Sequence, residues 1–222
     1  MNLVTHQKTY TDLPFCHREC LRYAGYRGEP DAQAAALLRE GIEAVSAQLQ
    51  YKVCYQLVPV SVEGSICRLG ALTLSSAGLA HVLAGCEKAV VFAATIGVAI
   101  DRITARYSHI SPARALVLQG IGAAQIETLC DTFCADMERE TGLFGVPRFS
   151  PGYGDLAIET QRDFFTLLGC EKRIGLTLND SLLMSPTKSV TAILGLTKTA
   201  TTSAGHKCAV CPHTDCAYRE RA

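Results

Sequence analysis

The chain of 222 residues carries 21 basic and 21 acidic side chains, with 19% charged and 48% hydrophobic residues, a balance that argues against a disordered chain and offers no net field to draw in nucleic acid. Its length suits one substantial domain, or a domain with a small appendage. The longest apolar stretch, residues 89–100, is well short of the ~20 residues of a membrane span, and residues 1–10 lack the apolar core of a signal peptide, so a cytoplasmic protein without membrane or nucleic-acid partners is expected.

Residues 16–26 contain Leu21, Tyr23, Ala24 and Tyr26 and end in a Gly-rich turn, which predicts a short helix. Asp31 opens a second helix whose stripe, Leu38, Ile42, Val45 and Leu49, recurs at helical spacing. Residues 53–62 are β-branched and aromatic, and Pro59 among them suggests an edge strand. Glu63-Gly64 then turns a hairpin into residues 66–74. Ser76 can cap a short helix reaching Gly85, and the continuous apolar run 89–95 reads as a buried strand. Gly97 ends that run before a helix over 98–107.

Ser111-Pro112 is a matched start signal for the longest helix, whose buried stripe is Ile126, Leu129, Phe133 and Met137 before Gly142 stops it. A helix over 158–168 is closed by Gly169, and its N-terminus, with free N–H groups, points near the preceding loop, where a carboxylate or phosphate could sit. Residues 173–178 and 190–196 read as two further strands. No repeat or long linker interrupts the chain, so residues 1–196 form one domain and residues 197–222 a separate Cys-rich tail.

Between the long helix and the next lies Arg148-Phe149-Ser150-Pro151-Gly152-Tyr153-Gly154. Pro151 presets a turn, and Gly152 and Gly154 allow positive φ and close backbone approach. Arg148 offers a charged fork suited to a carboxylate, and Tyr153 a face suited to a cation or a flat ring. A surface turn between helices is the plain alternative. Glu127, beside the stripe of the preceding helix, can present a carboxylate to the same site.

Eight of the 11 cysteines are scattered through ordinary segments and read as small core residues. The other three form Cys208-x2-Cys211-x4-Cys216, with His206 and His213 nearby. Three thiolates so spaced point to a metal. Zinc would close the tail, an iron–sulfur cluster would make it a redox centre, and a Cys208–Cys211 disulfide or an unmetallated thiol tail is the remaining reading.

Arg148-x-x-Pro151-Gly152-Tyr153, Phe164-Phe165-Thr166-Leu167-Leu168, Ile174-Gly175-Leu176-Thr177 and Asp180-Ser181-Leu182-Leu183-Met184-x-Pro186 closed by Ser189-Val190 resemble the reactivation domain of cobalamin-dependent methionine synthase in its stand-alone form. Leu21-Arg22-Tyr23-x-Gly25-Tyr26 and Phe92-Ala93-Ala94-Thr95-Ile96-Gly97 are similar to the same branch. The resemblance implies an α+β fold with a mostly antiparallel twisted sheet and packed helices. It also implies binding of S-adenosylmethionine and reductive methylation of cob(II)alamin, as a component of methionine synthase rather than an independent enzyme. Arg148 would hold the donor's carboxylate, Ser150 and Gly152 would give backbone contacts, and Tyr153 would lie between donor and corrin. Glu127 would be the acid of the long helix, with Asp131 the alternative, and Asp12 a second acid. The family's tyrosine beyond the last strand has no match in residues 198–203.

The cobalt-ligating Asp-x-His-x-x-Gly motif is absent from the sequence, so cobalamin is expected on a partner, a corrinoid-bearing methionine synthase or related methyltransferase, with a low-potential electron donor. Two other readings compete. A free-standing S-adenosylmethionine methyltransferase lacks its Gly-x-Gly-x-x-Gly after a strand. A metal-dependent redox or scaffold protein of corrinoid methyltransferases, without donor binding, is supported by the tail alone.

Overall fold

A computed structural model describes residues 4–199. Cys208, Cys211 and Cys216 lie outside the described residues. Among the described residues nine strands form, β1 (His6–Tyr10), β2 (Tyr51–Glu63), β3 (Ile66–Leu69), β4 (Leu72–Ser75), β5 (Lys88–Thr95), β6 (Phe144–Gly145), β7 (Thr177–Leu178), β8 (Met184–Ser185) and β9 (Ser189–Thr197). Seven make one sheet in the order β4-β3-β2-β5-β9-β6, with β1 paired to β2, and β7 pairs β8 apart from it. Each of these pairings is antiparallel.

The helices are α1 (His17–Tyr23), α2 (Ala32–Val45), α3 (Ala77–Leu83), α4 (Ala99–Ser108), α5 (Pro112–Thr141), α6 (Gln161–Leu168) and α7 (Cys170–Ile174). They cover both faces of the sheet, which is why β5 reads as an uninterrupted apolar run. Its alternate residues serve different cores: Val90, Phe92 and Ala94 meet α1, α2, α4 and α5, while Ala89, Val91 and Ala93 meet α3, α6 and α7. In the first core the Phe92 and Phe133 rings lie 4.9 Å apart, and burying each such side chain contributes about 1.5–3 kcal/mol. The α+β class with a mostly antiparallel sheet and packed helices is what the resemblance implies.

The 30-residue α5 is the spine of the first layer, and Ile126, Leu129, Phe133 and Met137 are all buried along it. Its crossing with α1 depends on Gly120: a Cβ there would lie 2.3 Å from the Cys20 carbonyl oxygen, which is backbone and cannot step aside. Asp31 caps α2, its side chain accepting from Ala34 N–H at 2.7 Å. Ser76 caps α3 in the same way through Leu79 N–H at 2.9 Å. The eight described cysteines are free thiols, five of them buried.

Four expectations need correction, the first being that residues 66–74 are not one hairpin arm but two antiparallel strands, β3 and β4. β2 is a central strand, between β5 on one side and β1 on the other. Pro59 is tolerated because it lies at the end of the β5 ladder, opposite Lys88, just before β3 pairing begins at Val60. Leu49 falls outside α2, beyond a 3-10 turn. Residues 173–178, expected as a strand, end α7 and continue through Gly175 into the two-residue β7. Polar residues 6–10 form β1, a strand of mostly open side chains that propensity alone does not mark.

Candidate functional site

The loop begins where the chain leaves the sheet beside β9. Phe149 makes an isolated bridge there, donating to Ile193 O at 2.9 Å and accepting from Ile193 N–H at 2.8 Å. In extended backbone, neighbouring side chains point to opposite faces. Arg148 therefore turns to α5, and Phe149 packs on the second core.

Beyond it the turn closes on itself. Tyr153 N–H donates to Ser150 O at 3.1 Å, Gly152 N–H to Leu156 O at 2.8 Å and Leu156 N–H to Tyr153 O at 3.0 Å. Gly152 has φ +86°, and a Cβ on it would come within 3.0 Å of Ile158 Cδ1. Only glycine fits this position without strain. The turn leaves the Tyr153 ring in solvent, 69% exposed.

Arg148 is the opposite case, with its side chain only 10% exposed. Its Nη2 donates to Glu127 Oε2 at 2.8 Å and lies 2.9 Å from Asp131 Oδ1. These acids are four residues apart on α5 and so share one face. Glu127 is 38% and Asp131 72% exposed. Nη1 of Arg148 is buried without a hydrogen-bond partner among the described residues. Burial works against the guanidinium charge, and its neighbours, Cys130 and Glu127 foremost, more than offset that and raise its pKa. Burial pushes the Cys134 thiol up to about 11 and raises Cys130 as well. Both are neutral at pH 7, so the carboxylates sustain the cation.

The sequence reading of Glu127 and Asp131 as alternatives gives way to both at once: the structure brings each to Arg148. Tyr23 of α1 adjoins them, for burial first and the Glu127 charge second raise its phenol. Tyr153 and Ser150 make no side-chain hydrogen bond to this cluster among the described residues. Asp12 lies between β1 and α1, where the nearby Pro14 carbonyl accepts from Gln125 of α5 at 3.0 Å.

Asp155 has a place that sequence reasoning missed. Its carboxylate accepts from Ser76 Oγ at 2.5 Å and from the N–H groups of Ala77 and Gly78 at 2.6 and 3.1 Å. These contacts, the Ser76 hydroxyl foremost, hold its pKa below the usual carboxylate range. The N-terminus of α3 thus receives an anion, and that anion is the chain's own. The one signal in the sequence was the acidic residue that ends the Gly-rich turn.

A concavity of about 250 Å³ between α2, α4 and α5 is lined by Glu40, Glu43, Ile103, Tyr107, Arg114 and Leu118 among others. Arg114 stands 13 residues before Glu127 on α5, or roughly 20 Å along the helix, so this hollow is separate from the loop. Among the described residues no group of three or more His, Cys, Asp or Glu could hold a metal ion, and no helix is long and apolar enough to cross a membrane.

No family model and no curated protein matches the chain. A solved structure does: a MetH reactivation domain bound to AdoHcy superposes with a TM-score of 0.64 at 14% sequence identity, over 90% of this chain and 80% of that one. The similarity is one of fold.

Proposed function

We propose that the Arg148 site binds S-adenosylmethionine and that the protein supports reductive reactivation of cobalamin carried by a separate corrinoid methionine synthase. The observation that carries this reading is the state of Arg148: nine-tenths buried, paired through one nitrogen and unpartnered at the other, at the base of a turn that exposes Tyr153. An unsatisfied buried donor costs roughly 1–3 kcal/mol. A ligand carboxylate in the place of Asp131 would bond Nη2 and, as the second prong of the fork, Nη1. The fold shared with an AdoHcy-bound domain supports a ligand of this class.

In this reading Arg148 takes the donor's carboxylate. Asp131, the more exposed partner, is the one displaced at little cost, because exposed pairs are worth ~0–1 kcal/mol. Glu127 stays, offering its negative charge to the donor's amino group. Ser150 and Gly152 line the turn with backbone, and Tyr153 presents its ring to the incoming corrin. When bound, S-adenosylmethionine supplies an activated methyl group, and the chain's own contribution is positioning. Cobalamin and a low-potential electron would come from other proteins. Cys208, Cys211 and Cys216 are proposed to hold zinc or an iron–sulfur cluster, which metal analysis and visible absorption of anaerobically purified protein would distinguish.

The test is a reactivation assay with a corrinoid methionine synthase in its cob(II)alamin state, a chemical reductant and S-adenosylmethionine. Methylcobalamin should return only when this protein is present, and Arg148→Ala should abolish the effect. Recovery at the same rate without the protein would remove the proposal.

A further inference from the structure

Away from the loop, on the second face of the sheet, two thiols meet. Cys54 of β2 and Cys170 at the start of α7 have their sulfurs 3.9 Å apart, although 116 residues separate them in sequence. They are 0% and 1% exposed. Buried cysteines are usually inert apolar filling, and Cys20, Cys67 and Cys130, with the half-buried Cys86 and Cys134, behave so, each with its thiol raised first by burial. Cys54 departs from them. The contact with Cys170 lowers its pKa against the effect of burial, with the Arg173 charge assisting, and the same contact raises Cys170. The same hydrogen bond thus eases ionisation of Cys54 and opposes that of Cys170.

The surroundings allow the remaining approach. Cys54 stands opposite Ala93 of β5, at the register that faces α7. α7 has five residues, is bounded by Gly169 and Gly175, and exposes Glu171, Lys172 and Arg173. So short an element can open locally at low cost and admit a small oxidant. Its movement need not disturb the sheet.

We propose that Cys54 and Cys170 form a reversible intramolecular disulfide on reaction with hydrogen peroxide. The Cys54 thiolate attacks one peroxide oxygen, the O–O bond breaks, and with one proton taken up Cys54 sulfenic acid and water result. The Cys170 sulfur then attacks the Cys54 sulfur, the S–O bond breaks, and the disulfide forms with release of a second water. Two thiols lose two electrons and two protons in all, and one peroxide becomes two waters. The bond ties α7, and α6 before it, to β2. α6 carries Arg162, whose Nη2 holds the Asp180 carbonyl at 3.0 Å, so the 179–183 turn is secured through the same bridge.

The experiment treats the reduced full chain with graded hydrogen peroxide, quenches, alkylates under denaturing conditions and maps peptides by mass spectrometry. The peptides holding Cys54 and Cys170 should appear cross-linked, before Cys67 or Cys130 is modified, and should separate with dithiothreitol. The oxidised chain should melt about 5 °C or more above the reduced one. In Cys170→Ala, dimedone should trap Cys54 as sulfenic acid. If that variant does not fold, the wild-type map decides alone. Recovery of both residues as alkylated thiols, at a dose that oxidises the exposed Cys16, would overturn the proposal.

Discussion

Arg148 and Asp155 stand at the two ends of one loop, and the comparison between them separates a group built to hold the fold from a group left with capacity to spare. Asp155 is at the surface, yet three donors from Ser76, Ala77 and Gly78 converge on its carboxylate. Arg148 is nearly buried, yet its Nη1 has no hydrogen-bond partner among the described residues. Exposure alone would rank them the other way round. Unused hydrogen-bonding capacity separates the two, and although Gln56, Thr104 and Gln161 also keep a buried polar atom without a partner among the described residues, Arg148 alone of the four carries a charge. Asp155 latches the loop to α3, and in the proposed function the spare capacity of Arg148 serves a ligand.

The largest effect expected from breaking this contrast is at Arg148. Arg148→Ala should weaken S-adenosylmethionine binding by about 100-fold, the size of one lost charge-assisted pair. Its cost in stability should be only about 1–2 kcal/mol, below the ~3–5 of a fully buried pair, because both acids are open to water. Calorimetry and urea unfolding measure the two. Next comes the unequal role of the acids: Glu127→Gln should weaken binding about 10-fold and Asp131→Asn less than about 2-fold. Equal losses would show that Asp131 is not the displaced partner.

Asp155→Asn probes the other end. Its folded-state pKa is depressed, so its contribution is present above the ordinary carboxylate value and is lost as pH falls through the lowered one. The variant should therefore unfold at lower urea than wild type at pH 7, with the gap closing well below pH ~4. Donor binding should fall only a few-fold, about 3, since the latch acts on Arg148 through the backbone. The smallest effect belongs to Tyr153→Ala, which should leave donor affinity within about 2-fold and stability within ~0.5 kcal/mol, as the ring is in solvent. Loss would then appear only in reactivation of a corrinoid partner.

Much of this was legible in the chain. Asp31, Ser76 and Ser111-Pro112 start the helices they announce, and the stripe from Ile126 to Met137 is buried, because caps and periodicity are local signals. β1 and the central position of β2 were not, since both depend on partners distant in sequence: His6 faces Tyr55, and Lys52 faces Thr95. The same division runs through the site. Arg148, Gly152 and Tyr153 announce a turn by residue type, and Glu127 and Asp131 are i,i+4 neighbours that a helix must put on one face. That Asp155 reaches back 79 residues to Ser76 follows only from the loop packing on α3. The Cys54–Cys170 contact is equally non-local, and eleven cysteines offer no way to choose it by spacing.

The central claim is that the partly satisfied guanidinium is a carboxylate site for a methyl donor, and a calorimetric titration of the full chain with S-adenosylmethionine tests it most directly. The account predicts one saturable site, AdoHcy competing for it, and no measurable heat with Arg148→Ala at the same concentrations. Absence of binding to the wild-type chain, or unchanged affinity in the folded Arg148→Ala variant, would contradict it.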